Sequence, residues 1–354
     1  MTKRITYKDA GVDIEAGERF ARAILEQLRR TANECVLDNP LGFAGLYALR
    51  DGRGLFDRKY RDPVLVSSTD GVGTKLKIAF MLDKHDTVGL DLVAMSVNDI
   101  LVQGAAPLFF LDYIGTPDVN HEKLCQIIKG IADGCIEAGC ALIGGEKAVL
   151  PDLYNKNEYD LAGFAVGVVE RSRLITGRSI RPGDTLIGLS STGLHSNGYT
   201  LVRKIVFDIA KLTLGQYIDE LGCTLGEELL RPTRIYVKPV LHVLRRYKVK
   251  QVIHGIAHIT GGGLPGNVVR ILPMNCVAQI RKGSWSVPPI FPMLQRLGNV
   301  EEAEMFKVFN MGVGLVLVVS RFYANAVLGE FRRLGLKGTV IGEVVEGDRR
   351  VAIV

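Results

Sequence analysis

With 354 residues, 47% of them apolar and 23% charged, the chain has an ordinary globular composition and is too long for one core; long disorder and a fibrous class are excluded, and two domains are expected. Its net charge of +6 comes from dispersed basic residues with only short clusters, such as Arg29-Arg30, Arg245-Arg246 and Arg332-Arg333, so no basic stripe argues for nucleic acid and small anionic substrates fit better. Six cysteines without a C-x-x-C pair, no signal-peptide pattern and no apolar run near the ~20 residues of a membrane span predict a protein of the reducing cytoplasm with no membrane segment.

The polar leader "YKDAGVDIEAG" precedes a helix predicted over 18–30, with apolar positions at Phe20, Ile24 and Leu28. There follow a strand over 63–68, helical spacing over 74–103 with a break near Asp86, a strand over 107–115, a helix over 121–138 and a strand over 140–144. A glycine-containing strand over 159–170 ends the first half, and the boundary is placed near Arg171, giving domains 1–171 and 172–354. The second half restarts in "RSIRPGDTLIGLSSTG". It continues with helices over 197–211 and 233–247, a strand over 251–258, a glycine cluster at 261–263, a strand over 309–319, a helix over 323–334 and a last strand over 338–345. The fold class expected is a two-domain mixed α/β protein.

The stretch "VLVSSTDGVGTK" (64–75) has the layout of a phosphate loop without the Walker A spacing, because its glycines are two apart and Thr74 precedes Lys75. Asp70 stands at the strand end beside Gly71 and Gly73, whose backbone N–H groups could face an anion; an acid there makes sense with a metal in between. Asp91 and Asn98 are seven residues apart, so on one helix they share a face about 10 Å apart along the axis, too far for one Mg²⁺ but suited to two along a triphosphate. Taken singly, Asp91 reads better as a helix N-cap and Asp99 as a solvated helix residue. Asp112 lies within "FFLDYI", where an unpaired carboxylate is costly unless it faces water, and Glu146 follows Gly144 and Gly145, a close-approach point or a tight turn.

In the second half, "SSTGLHSNGY" (190–199) places His195, Ser196 and Asn197 at a helix start, which is an anion site or a capped helix end. "IAHITGGGLPGN" (256–267) adds His258, Thr260 and the consecutive Gly261, Gly262 and Gly263, a run that favours a ligand close to the backbone. The cysteines of "GCIEAGC" fit core packing, and Trp285 fits a structural role or a purine contact.

Six blocks in order, "YKDAGVDIEAG", "STDGVGTK", "VGLDLVAMSVNDILVQGAAPLFFLDYI", "GLHSNGYTLVRKI", "LLRPTRIYVKPVL" and "HITGGGLPGN", resemble the phosphoribosylformylglycinamidine cyclo-ligases from about Tyr7 onward. The resemblance implies an N-terminal α/β domain that dimerises through its sheet, a C-terminal α/β domain beside it, and a cleft that closes an imidazole ring on formylglycinamidine ribonucleotide using ATP and Mg²⁺. It implies metal contacts at Asp70, Asp91 and Asn98, and nucleotide contacts at Gly71, Gly73, Thr74, Lys75, Asp99, Asp112, Gly144, Gly145 and Glu146. For the substrate it implies Ser196, Asn197, Thr260, Gly261, Gly262 and Gly263, with His195, His258 and Lys75 for phosphate contact, proton handling and charge neutralisation.

The chain departs from the family pattern at Leu25, in "LDNPLGFAG" (37–45), and at Lys147 and Val149 within "GGEKAVLP". A cation lost at Leu25 and gained at Lys147 would keep the charge opposite a triphosphate roughly constant. A nucleotide-binding relative without the activity and a superfamily kinase or synthetase acting on another small phosphorylated substrate are the alternative readings.

Overall fold

Two large sheets organise the chain, with one helix that is apolar almost all round lying between the first sheet and the second lobe. The computed structural model describes residues 14–37, 44–48, 60–247 and 249–354. Of the departing segment 37–45, residues 38–43 lie outside this set, as does most of the leader.

The first lobe opens with α1 (Ile14–Thr31) and a small antiparallel ladder of β1 (Val36–Leu37) with β2 (Leu46–Tyr47). Strand β3 (Pro63–Gly71) leads through a tight 3₁₀ turn at Gly73–Lys75 into α2 (Leu76–Leu82), then α3 (Val88–Leu101), β4 (Ala106–Thr116), α4 (His121–Ala138), β5 (Ala141–Val149) and β6 (Asp160–Glu170). The sheet order is β3-β6-β4-β5, antiparallel except that β4 and β5 run parallel across the α4 connection. Helix α4 keeps its expected bounds because its ends are written locally: the Asn120 side chain accepts the Lys123 N–H at one end and Gly139 adopts φ 78° at the other.

In α3 every residue but Leu90 and Asp99 is buried. One side packs on the sheet and the other meets the second lobe, as expected of a helix without a polar face. The predicted helix over 74–103 is therefore two helices, parted at Asp83, whose left-handed backbone (φ 47°) ends α2.

The second lobe contains β7 (Thr185–Ser190), α5 (Tyr199–Arg203) widening into a π turn over Lys204–Ile209, β8 (Tyr217–Ile218), β9 (Cys223–Thr224), α6 (Leu225–Leu229) and α7 (Val237–Arg246). It continues with β10 (Ile253–His258), α8 (Gly263–Val268), β11 (Cys276–Ile280), α9 (Ile290–Gly298), α10 (Glu302–Val308), β12 (Val313–Val319), α11 (Ala324–Arg333), β13 (Gly338–Glu346) and β14 (Arg350–Ile353). Its sheet order is β10-β12-β7-β13-β11-β14, antiparallel apart from β11 with β14. The sequence pattern predicts none of β8, β9, α6, α8 and the elements from β11 to α10, and β14 follows the strand expected to be the last. Four of the six cysteines, Cys35, Cys135, Cys140 and Cys276, are buried, and all six are free thiols. Trp285 is structural: its Nε1–H donates to the Met311 carbonyl (2.9 Å) and its ring meets Phe306 edge-on.

Candidate active site

Asp70 is the penultimate residue of β3, and its Oδ1 accepts the N–H of Gly71 (2.7 Å). Asp99, on α3 of the same lobe, meets His258 from the end of β10 in the second lobe, His258 Nδ1 lying 2.8 Å from Asp99 Oδ1. Ser68 Oγ reaches Asp99 Oδ2 at 3.5 Å, so β3, α3 and the second lobe converge on one acidic corner. Burial pushes the Asp70 carboxyl up, with the Asp99 carboxylate adding to the effect; the Gly71 N–H and His258 oppose it. His258 is buried and its Nε2 has no partner.

Among the described residues no three His, Cys, Asp or Glu side chains are gathered into a metal cage. Two partly exposed carboxylates close enough for Asp99 to raise the proton affinity of Asp70 do fit a Mg²⁺ held by one or two acids plus phosphate oxygens and water. The acids available for this are Asp70 and Asp99, and the expectation for Asp91 and Asn98 is corrected. Asp91 is fully buried, and its Oδ1 accepts from Lys75 Nζ (2.9 Å), Ser196 Oγ (3.0 Å), the Thr233 N–H (2.7 Å) and Thr233 Oγ1 (2.7 Å). Its Oδ2 lies 2.8 Å from the Lys75 ammonium. Asn98 is likewise fully buried, donating from Nδ2 to the Arg234 carbonyl (2.8 Å) and accepting the Tyr236 N–H on Oδ1 (3.0 Å). The two do share a face of α3, but that face meets the Lys75 ammonium and the backbone and hydroxyl groups of the second lobe. Nor is Asp91 an N-cap, since Thr87 precedes the helix.

Lys75 is corrected with them. Its side chain is 0% exposed, and beyond Asp91 its Nζ donates to the carbonyls of His195 (3.1 Å) and Arg231 (2.6 Å). An ammonium has three protons, so none is left for a phosphate. Its neighbour Thr74 is the group that faces outward, with Oγ1 3.1 Å from Thr200 Oγ1 at the start of α5.

The second-lobe loops come together as expected. His195 is left-handed (φ 60°) and buried, and its Nε2 accepts the N–H groups of Thr192 (3.2 Å) and Arg234 (3.5 Å). Burial, then His258 and the charges of Lys75 and Arg234, push this imidazole well below its usual range, so it is neutral with its proton on the unpartnered Nδ1. Asn197 stands beside Gly261, whose Cβ position lies 3.6 Å from Asn197 Oδ1. The helix start belongs to neither Ser196 nor Asn197 but to Gly198, at φ 78°. The 260–263 turn is tied from within by Asn267, whose Nδ2 donates to the carbonyls of Thr260 (3.2 Å), Gly261 (3.2 Å) and Gly263 (2.9 Å). Gly263 has a structural reason, because at φ 59° an added Cβ would collide with the Phe306 carbonyl oxygen. Thr200, Thr233 and Asn267 escaped the sequence reading; only Asn267, four residues after the glycine run, carried a local signal.

Asp112, Gly144, Gly145 and Glu146 are not brought to this corner. Asp112 on β4 lies two strands from Asp70, in one row with it across Gly163, and β5 lies three strands away, about 10 and 14 Å at ordinary strand spacing. Asp112 is opposite Gly145, and a Cβ on Gly145 would collide with its carboxyl. Burial, with Glu146 adding, pushes Asp112 up to about 7. Lys147, on the same edge strand, is partly buried and its ammonium is pushed down by burial against the pull of Glu146; Leu25 on α1 is exposed.

Residues 57–169 match the family model "AIR synthase related protein, N-terminal domain", and residues 181–354 match "AIR synthase related protein, C-terminal domain". The chain is 54% identical over 342 residues to the phosphoribosylformylglycinamidine cyclo-ligase of Geobacillus sp. (strain WCH70), covering 97% of this chain and 96% of the relative. It is 55% identical to the protein of that name from Thermodesulfovibrio yellowstonii, covering 97% of each. Among solved structures, thiamine-monophosphate kinase from Stenotrophomonas maltophilia shares the fold at TM-score 0.66 and 18% identity, covering 94% of this chain and 95% of that one. The hydrogenase maturation protein HypE in complex with ATP does so at TM-score 0.61 and 18% identity, covering 92% of this chain and 86% of that one.

Proposed function

Because the chain belongs to the phosphoribosylformylglycinamidine cyclo-ligase family, and so closes the imidazole ring of 5-aminoimidazole ribonucleotide with hydrolysis of ATP, we propose how its residues divide that work. The kinase and non-catalytic alternatives are not favoured, since more than half of the residues match cyclo-ligases over nearly full length. In the reaction the formyl amide oxygen takes the γ-phosphoryl group, the amidine nitrogen attacks the same carbon, and the C–O bond breaks to release phosphate beside ADP. Such chemistry asks the protein mainly for positioning and for neutralisation of charge.

Asp70 and Asp99 are the residues that would hold Mg²⁺, which when bound neutralises charge on the transferring phosphoryl group. The observation that carries this is the placing of Asp99 against β3, 3.5 Å from Ser68 Oγ two residues before Asp70, while the nearby lysine is fully engaged elsewhere. The Gly73 N–H and the Thr74 hydroxyl line the phosphate side, the Gly71 N–H being held by Asp70; Ser196, Asn197, Thr260 and Gly261–Gly263 line the substrate side. His258 is oriented by Asp99 and presents Nε2 between the two, where it contacts a phosphate or moves a proton. His195, with Nε2 fixed by two backbone amides, offers only an Nδ1–H donor.

The protein functions as a cytoplasmic homodimer in this reading. The sheet face turned away from α3 exposes Leu65 (60%), Phe164 (40%) and Tyr113 (37%), an apolar surface that a second copy would cover. Among the described residues no helix is long and apolar enough to cross a membrane.

The test is to supply formylglycinamidine ribonucleotide, ATP and Mg²⁺ and to follow ADP and the diazotisable aminoimidazole together. One ADP per aminoimidazole, with Asp70→Asn and Asp99→Asn each losing about 10²-fold or more in kcat/KM, is expected. Wild-type kinetics and wild-type Mg²⁺ dependence in both variants would refute the assignment of the two acids.

A further inference from the structure

The Lys75–Asp91 pair is fully buried, and among the described residues it is the most heavily partnered ion pair. Both residues belong to the first lobe, while five of their contacts belong to the second: the carbonyls of His195 and Arg231 on Lys75, and Ser196 Oγ, the Thr233 N–H and Thr233 Oγ1 on Asp91. Lys75 immediately follows Thr74, the last residue of the phosphate loop, and closes the short turn that begins at Gly73. On the far side, His195 and Ser196 are the middle of the loop that runs from Ser191 to Gly198. The left-handed backbone of His195 directs its carbonyl to Lys75 and lets Ser196 reach Asp91. The rest of that loop is pinned as well: Ser191 Oγ donates to the Gly193 carbonyl (2.9 Å) and Thr192 Oγ1 to the Pro232 carbonyl (2.5 Å). A displacement of the ammonium therefore moves the phosphate loop and the substrate loop relative to each other.

We propose that Lys75 and Asp91 are positioning residues for ring closure, fixing the 191–198 loop of the second lobe against the Asp70–Thr74 loop of the first and so setting the separation of phosphoryl donor and acceptor. The proposal rests on the reading of the Asp70–Thr74 loop as the phosphate side. It predicts a division between binding and turnover: each ligand still finds its own loop, but the two reacting groups are out of register.

The experiment uses the full-length protein with K75M, the paired K75M/D91N and the milder T233V, measuring kcat, KM for both substrates, and melting temperature. K75M alone leaves an uncompensated buried carboxylate and is expected to melt early. The paired variant removes both charges while the introduced amide oxygen still accepts from Thr233 and Ser196, and it is expected to melt above K75M though below wild type, because the His195 and Arg231 carbonyls lose their donor. In K75M/D91N both KM values are expected within about 3-fold of wild type while kcat falls about 10²-fold, the loss that a misplacement of about 1 Å brings. T233V, which deletes one hydroxyl and keeps the fold, is expected to lower kcat several-fold with KM unchanged. Wild-type kcat in the folded paired variant, or in T233V should the paired variant not fold, would show a purely structural role and overturn the proposal. A rise of about ten-fold or more in the KM for ATP would show direct phosphate contact by Lys75 and overturn it too. Asp70→Asn run alongside separates the readings: an unchanged KM for ATP there refutes the phosphate-side placement, whereas wild-type kcat in the pair variants refutes the positioning role.

Discussion

Replacing Asp112 by Asn tests the electrostatics of the first sheet at a residue two strands from Asp70. Asp112 is buried on β4, opposite Gly145, near Cys135 on α4 and Glu146 on β5. Burial, with Glu146 adding, pushes its carboxyl up from 3.8 to about 7. An acid whose folded pKa is raised holds its proton more tightly when folded, so its contribution to stability falls as pH rises from the unfolded pKa through the folded one. Here that window runs from about pH 4 to about pH 7, and about three pKa units correspond to about 4 kcal/mol across it. Asn cannot ionise, so any fixed packing difference is constant while the titrating part disappears. The free-energy difference between variant and wild type, from urea unfolding at several pH values, should shift in favour of the variant by about 3 kcal/mol between about pH 5 and about pH 8. A difference that is flat over that range would refute the reasoning, because it would mean that Asp112 is as easily ionised in the folded protein as in the unfolded chain.

Asn98→Ala should cost about 2–4 kcal/mol in urea unfolding, because it strands the Arg234 carbonyl and the Tyr236 N–H, while the Mg²⁺ concentration for half-maximal activity stays at the wild-type value. A raised Mg²⁺ requirement would return Asn98 to the metal. Gly263→Ala should cost about 3 kcal/mol through the clash with the Phe306 carbonyl and the left-handed backbone, seen as an earlier thermal transition. Leu65→Asp should convert a dimer into monomers in sedimentation velocity, and an unchanged sedimentation coefficient would place the dimer contact elsewhere.

What could be read in the sequence was what is decided locally. Helix α4 is delimited by its own Asn120 cap and Gly139 stop, and β12 by an unbroken apolar run, so both were legible. The elements between β11 and α10 were not, since each is short and prolines interrupt the apolar spacing. For the site, Asp70, His258 and the glycine run were legible as chemistry looking for a ligand. The seven-residue spacing of Asp91 and Asn98 correctly put them on one face of α3, but what that face meets is backbone far along the chain, such as the Thr233 N–H 142 residues after Asp91. Lys75 misled for a related reason: adjacency to a phosphate loop says nothing of which way the following turn points the side chain. The 3₁₀ turn at Gly73–Lys75 sends Thr74 out and Lys75 in.

The stretch 231–236, between α6 and α7, contains neither helix nor strand, yet its Thr233 and Tyr236 amides are donated to Asp91 and Asn98 deep in the interface between the lobes. Those protons can exchange with deuterium only when the lobes part, and parting them would strand a buried ion pair and an amide. The irregular segment should therefore exchange as slowly as the central strands, and the two sheets, whose buried apolar residues form one contiguous cluster, should melt in one transition.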